Sequence, residues 1–153
     1  MKTIPKIAVI VAAIAFLLPL ATQNASAQPQ HPAYLHALSD LRDARAHLQR
    51  PDGGALHDEE RNAVEEINHA IEKIKKAAID DGKNVDDHVH VDAHLPWNGR
   101  LHKARDLLDK AHHDAGEEED NPATQGLQGR VLYHIDRAHR YVDAALAIVE
   151  SRQ

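Results

Sequence analysis

The residues best suited to chemistry in this sequence are histidines and aspartates that recur in one pattern at two places. The pattern is LHxxxDLxDxxxH, and its second copy begins 66 residues after the first. Imidazole nitrogens and carboxylate oxygens are ligands for zinc, copper(II) and nickel, and a His and an Asp one helical turn apart can reach one ion. The polar members of the two copies, our candidate metal ligands, are His36, Asp40, Asp43 and His47, and His102, Asp106, Asp109 and His113.

A second group of candidate ligands occupies a short segment between the two copies. It consists of His88, His90, Asp92 and His94, which alternate with Val89, Val91 and Ala93. In an extended chain, alternate side chains project to the same side, so these four could chelate one ion. Short histidine-rich linkers also occur without any ligand, and a site built on this segment is expected to be weak.

Other interpretations of these residues stay open. Exposed His–Asp pairs one turn apart also stabilise ordinary helices, by about 0.2–0.5 kcal/mol each. Glu66-x-x-His69 and Asp136-x-x-His139 resemble the E-x-x-H unit of di-iron bundles, but they lie off the apolar seams and predict no buried cluster. His139 flanks the seam of its helix and could meet His112 or another neighbour.

The absence of several residue types excludes whole classes of site. The chain has no cysteine, and its one methionine is Met1. Thiolate zinc, iron–sulfur clusters, c-type haem attachment and thioether copper(I) sites are therefore excluded. No Gly-flanked serine or phosphate-binding glycine loop is present, which predicts a non-enzymatic protein. A net charge of −6 argues against a nucleic-acid partner.

The apolar residues around these motifs recur at spacings of three and four, which is typical of amphipathic helices. They predict an all-α fold, an antiparallel four-helix bundle made of two duplicated α-hairpins. Trp97 is expected to plug the bundle end beside the linker. The predicted helices cover about 32–49, 58–80, 98–115 and 123–150, which gives hairpin 1 at about 32–82, a crossover linker at 83–97 and hairpin 2 at about 98–151.

The helical period also predicts where the two polar patterns face. At about 100° per residue, each His/Asp stripe lies nearly opposite the leucines of the same pattern. The leucines must enter the core, so both stripes are expected to face outward or to line a groove. Any metal bound there would be held at the surface of the bundle, where a weak site is more easily built than a structural one.

The N-terminal residues have the composition of a signal peptide, predicted at 1–27. Lys2 and Lys6 precede an apolar run at 7–20, and Ala25-Ser26-Ala27 supplies the small residues of a cleavage site. The mature chain, 28–153, would then form the bundle in the periplasm or outside the cell. No second apolar segment follows, so no stable membrane insertion is expected after cleavage.

The strings HPAYLHALSDLRDAR, AAIDDGKN and GRLHKARDLLDKA resemble a functionally uncharacterised family of small exported bacterial His-rich helical proteins. This resemblance implies an exported helical domain and no catalytic residue. Two functions remain expected: binding of zinc, copper(II) or nickel, or an envelope module for protein interaction or self-association. In the second case, protonation of thirteen histidines would carry the mature charge from −8, after loss of Lys2 and Lys6, toward +5 on mild acidification.

Overall fold

The computed structural model describes four helices and the residues beside them, at 32–49, 57–80, 95–117 and 126–152. The helices are α1 Pro32–Leu48, α2 Asp58–Asp80, α3 Trp97–Gly116 and α4 Leu127–Glu150. No β-strand occurs within these ranges, so the all-helical prediction with four helices is confirmed. The predicted signal peptide at 1–27 and the linker ligands His88, His90, Asp92 and His94 lie outside the described residues.

Each helix packs against two others. Helix α1 packs against α2 and α3, and α4 packs against the same two helices, whereas α1 and α4 do not pack together. Helices α2 and α3 do not pack along their length and are joined at one end by a hydrogen bond between Trp97 and Glu60. The four helices therefore occupy the corners of a square, with those two pairs on its diagonals. The bundle is held together mostly by α1–α3 and α2–α4, the more extensive of the four interfaces.

Contacts at the helix ends fix the directions. At the start of α3, Trp97 bonds to Glu60 near the start of α2, and Arg100 bonds to the carbonyl of His47 near the end of α1. His102, also early in α3, approaches Glu150 at the end of α4. All four neighbouring pairs are consequently antiparallel, and α2 and α3 start at the same end of the bundle.

The core follows the predicted seams and consists largely of alanine, leucine, isoleucine and valine. Every predicted seam residue of α4 is buried, from Val131 to Val149. Small alanines at the interfaces allow close helix approach, since the distance between helix axes depends on the side chains at the contact. The buried apolar residues of α3 are Leu101, Ala104, Leu107, Leu108, Ala111 and Ala115.

Local interactions and backbone conformation define where helices α2 and α4 begin. The carboxylate of Glu60 accepts a hydrogen bond of 3.0 Å from the backbone N–H of His57, the returning half of a capping box. Gly126 precedes α4 with φ 70°, a left-handed conformation that favours glycine. A Cβ at Gly126 would also lie 3.0 Å from the guanidinium of Arg130.

One end of the bundle is closed by a mixed polar and aromatic cluster. Trp97 packs against the core, as predicted, and its ring stacks on His57 with centroids 4.7 Å apart. The indole N–H donates to the fully buried Glu60 at 2.7 Å. Arg100, also buried, donates to the backbone oxygen of His47 at 3.0 Å and so satisfies a carbonyl in the last turn of α1.

Candidate metal site between helices α3 and α4

The first predicted stripe lies along the margin between α1 and α3. His36 is exposed, and Asp40 and Asp43 are half-buried. Burial is the main cause that raises the pKa of both carboxyls; for Asp40 the nearby Asp114 acts in the same direction. For His47 the prediction of an outward position is wrong, since this residue is only 4% exposed.

The second stripe faces solvent as predicted. His102, Asp106, Asp109 and His113 are all exposed, while the leucines of the pattern are buried. Two of its members reach across to α4. His102 Nε2 lies 4.0 Å from Glu150 Oε1, and Asp109 Oδ1 lies 3.0 Å from His139 Nε2. Two of the four residues in this stripe thus take part in contacts between α3 and α4.

Asp109 belongs to a groove that combines two carboxylates with two imidazoles. Asp109 and His112 come from α3, and Asp136 and His139 come from α4. Together with Leu108 and Ile135 they line a surface cavity of about 230 Å³. His112 Nε2 lies 3.2 Å from Asp136 Oδ1, so each helix supplies one partner to each of two His–Asp pairs.

The pairing follows from spacing and direction. Each helix carries an Asp-x-x-His unit, with the two side chains one turn apart on the same face. Because α3 and α4 are antiparallel, the Asp of each unit lies opposite the His of the other. Leu108 and Ile135 are buried beneath the groove and fix the register of the two helices.

Further side chains orient the groove. His139 Nδ1 lies 3.1 Å from Asp143 Oδ2 on the same helix, and Asp143 is also 3.2 Å from the guanidinium of Arg105. The His139 ring is therefore held at one nitrogen by Asp143 while the other points to Asp109. A carboxylate at the second nitrogen is the usual arrangement for a histidine that binds a metal.

The geometry within each pair suits a bridging cation. Two ligand atoms at roughly 2.0–2.1 Å from a tetrahedral zinc ion lie about 3.3 Å apart. The observed nitrogen–oxygen separations of 3.2 and 3.0 Å require only a few tenths of an ångström of movement. Among the described residues, however, no three His, Asp or Glu side chains already converge on one point. Convergence of both pairs on one ion requires rotation of these partly exposed side chains.

Sequence reasoning included Asp109 in the site and missed its three partners. His112 occupies an unmatched position within the repeated pattern, Asp136 and His139 lie outside it, and Asp136 was placed off the apolar seam. One sequence signal could have identified these residues: the spacing Asp-x-x-His occurs in both the third and the fourth helix. The expectation that His139 could meet a neighbour on another helix is confirmed, although that neighbour is Asp109.

The sequence repeat offers a natural comparison for this groove. With offsets of 66 residues in the first helix of each hairpin and 68 in the second, its four positions correspond to Asp43, Ala46, Asn68 and Ile71. Only one of these residues is a strong metal ligand. The α1–α2 margin instead carries a hydrogen bond of 2.8 Å from Arg45 to Asn68. The combination of two carboxylates and two imidazoles between α3 and α4 thus has no counterpart at these positions of α1 and α2.

Comparisons with known proteins add no functional assignment. No protein-family model, no curated protein and no solved structure matches the chain significantly. None of the helices in the described ranges combines the length and the apolar character needed to cross a membrane. The functional argument therefore rests on the geometry of the groove.

Proposed function

We propose that this chain is an exported, non-enzymatic four-helix-bundle protein that binds a divalent transition metal ion in the α3–α4 groove. One observation carries the proposal: two aspartates and two histidines from two helices line a single surface cavity. Export is proposed from the signal-peptide composition of 1–27, and the duplicated hairpins from the repeated His/Asp pattern. The stripe residues other than the buried His47, and the linker histidines, would supply weaker additional sites.

The ligand set matches a doubly charged ion of intermediate softness. Two carboxylates offset the charge of the ion, and two imidazoles favour zinc, copper(II) or nickel over magnesium or calcium. The ion would take the place of the proton shared within each His–Asp pair. Because the ligands come from both helices, bound metal would also join α3 to α4.

Calorimetric titration with zinc chloride and copper(II) chloride tests the proposal on metal-free protein without an affinity tag. We expect saturable heat in the native chain and at least about tenfold weaker binding after His112→Ala with His139→Ala, because two of four ligands are lost. The matched control, His36→Ala with His113→Ala, removes two exposed histidines elsewhere.

The possible results distinguish a wrong location of the metal site from a wrong function. If the control variant loses the heat and the groove variant keeps it, the metal binds at the predicted stripes and the groove assignment is wrong. If the native protein gives no saturable heat with either metal, the metal-binding function itself is wrong. Circular dichroism of each variant establishes that the helices are retained.

A second candidate function, a pH-responsive interaction module, is favoured by the number of His–carboxylate pairs that join helices. Besides the two pairs of the groove, His134 Nδ1 lies 2.7 Å from Glu66 Oε2 between α4 and α2. Histidine is the residue type that gains charge between about pH 7 and pH 5. Self-association or partner binding should then switch over this range with chelator present, and identical sedimentation profiles at both ends would exclude it.

A further inference from the structure

The charged residues of α4 are divided between two sides of the helix. All three of its acidic residues face α3, where Asp136 pairs with His112, Asp143 with Arg105 and Glu150 with His102. The outer side carries basic, aromatic and small residues, with the half-buried Ile148 near its C-terminal end. We define the outer face of α4 as six residues: Arg130, Tyr133, Arg137, Arg140, Tyr141 and Ala144.

Arg137 is held rigidly at the centre of the outer face. Its Nε lies 2.9 Å from Glu66 Oε1, and its two terminal nitrogens donate to the hydroxyls of Tyr133 at 3.0 Å and Tyr141 at 3.3 Å. These hydrogen bonds, with the nearby Glu66 carboxylate, raise the pKa of the guanidinium above its usual range. Arg137 is therefore permanently charged and fixed in position.

The hydroxyl groups of Tyr133 and Tyr141 can still donate hydrogen bonds to a bound partner. Each hydroxyl accepts a hydrogen bond from Arg137, so its own O–H proton remains free to donate to an incoming acceptor. Tyr133 is 53% exposed and is one of two large apolar side chains exposed in the described part of the chain; the other is Leu95. The aromatic part of the face is thus accessible.

Arg140 adds an accessible positive charge. It is exposed and forms no ion pair among the described residues. With Arg137, Tyr141 and Ala144 it lines an open cavity of about 380 Å³. A carboxylate in this cavity could contact the Arg140 guanidinium and accept from the Tyr141 hydroxyl, since arginine and tyrosine are both good partners for a carboxylate.

We propose that the outer face of α4 docks an acidic helical segment of another protein, one that presents Glu or Asp side chains a helical turn apart. Tyr133, Arg137 and Tyr141 follow one another at intervals of four residues, so donors recur about every 6 Å along the face. Carboxylates spaced by one turn on a partner helix recur at the same distance. The charges on the two surfaces are then complementary and specify the register.

Other classes of anionic partner fit less well. The chain as a whole carries a net charge of −6, which opposes approach to a long polyanion or to an extended anionic membrane. A short acidic helix senses mainly the local arginines, because salt screens charges beyond about 8 Å. The one large aliphatic residue on this side of α4, Ile148, is half-buried, so the outer face presents little aliphatic surface to a lipid layer. It lies on the side of α4 away from the metal groove, so docking does not depend on the proposed metal.

Fluorescence anisotropy with a labelled helical peptide tests the proposal. The probe is a synthetic alanine-based peptide with Glu at every fourth position, and the comparison peptide carries Gln at those positions. We expect saturable binding of the Glu peptide at an ionic strength of about 0.15 M, weakened at least about tenfold by Tyr133→Phe with Arg140→Gln. Arg61→Gln is the matched control, because exposed Arg61 pairs with Asp58 on α2 and its loss changes the net charge equally.

Each result decides the proposal. It is supported if the outer-face variant weakens binding and Arg61→Gln changes it by less than about twofold. It is overturned if the Glu peptide does not bind, if the Gln peptide binds equally, or if both variants weaken binding alike. Tighter binding to phosphatidylglycerol vesicles or to single-stranded DNA would assign the face to a different class of partner. Tyr133→Phe and Arg140→Gln alter exposed atoms only, and circular dichroism checks that both variants fold.

Discussion

Trp97→Phe should reduce stability mainly through one hydrogen bond. The indole N–H donates at 2.7 Å to Glu60, whose carboxylate is fully buried, while phenylalanine keeps an aromatic ring beside His57 and removes the donor. A hydrogen bond to a charged group contributes about 1.5–3 kcal/mol. Since Trp97 is only partly buried, the smaller ring adds little, and we expect a loss of about 2 kcal/mol.

Urea unfolding followed by helical circular dichroism measures this loss. Fluorescence is unsuitable, because Trp97 is the only tryptophan in the chain. For a chain of this size, the same loss corresponds to a fall in Tm of about 6–10 °C. The slope of the unfolding free energy against urea should not change, because the substitution leaves the exposed surface of the unfolded chain nearly the same.

A second substitution separates the hydrogen bond from general packing. In protein that also carries Glu60→Gln, the acceptor is neutral, so Trp97→Phe should cost only about 1 kcal/mol. Leu95→Ala, a change at an exposed neighbouring residue, should alter stability by less than about 0.5 kcal/mol. An equal cost of Trp97→Phe with and without Glu60→Gln would refute the reasoning, as would a cost as small as that of Leu95→Ala.

Three other predictions concern the core, the first stripe and the groove. Leu108→Ala should lower the free energy of unfolding by about 2–5 kcal/mol, measured by urea unfolding, because Leu108 is fully buried and its loss leaves a cavity in the core. Burial holds the pKa of Asp40 above its usual value, so the stability linked to this carboxyl is present below about pH 4 and is lost as pH rises through the folded-state pKa. Asp40→Asn should therefore raise the free energy of unfolding at pH 7 relative to about pH 3.5 in urea titrations, and an equal effect at both pH values would contradict this prediction. Zinc at about 100 times its Kd should increase the unfolding free energy by about 2.7 kcal/mol in thermal melts, and excess EDTA should reverse it.

The helices and the core could be predicted because both depend on residue spacing within one element. Apolar residues at intervals of three and four identified the buried face of α4, including Ile135 and Val142. The position of Trp97 at the bundle end was also predictable, because it follows the linker at the start of a helix. These properties require no knowledge of which helices are neighbours.

The groove could not be predicted, because it depends on the register between two helices. A helical wheel treats each helix alone and placed Asp136 off the seam, yet the margin beside a seam is where side chains of adjacent helices meet. The burial of His47 has a similar origin. The start of α3, with Arg100, packs against the last turn of α1, and no periodicity within α1 indicates this contact.

The pattern of helix contacts has a consequence for how the chain folds. The most extensive interfaces, α1–α3 and α2–α4, join residues from different halves of the sequence, so neither half buries its apolar surface by itself. Most of the burial must therefore follow closure of the long connection between the halves, and folding should be slower than in a bundle of sequential neighbours. For the same reason, the halves 28–82 and 95–153, produced as separate polypeptides, should each be poorly folded alone and recover helical structure when mixed.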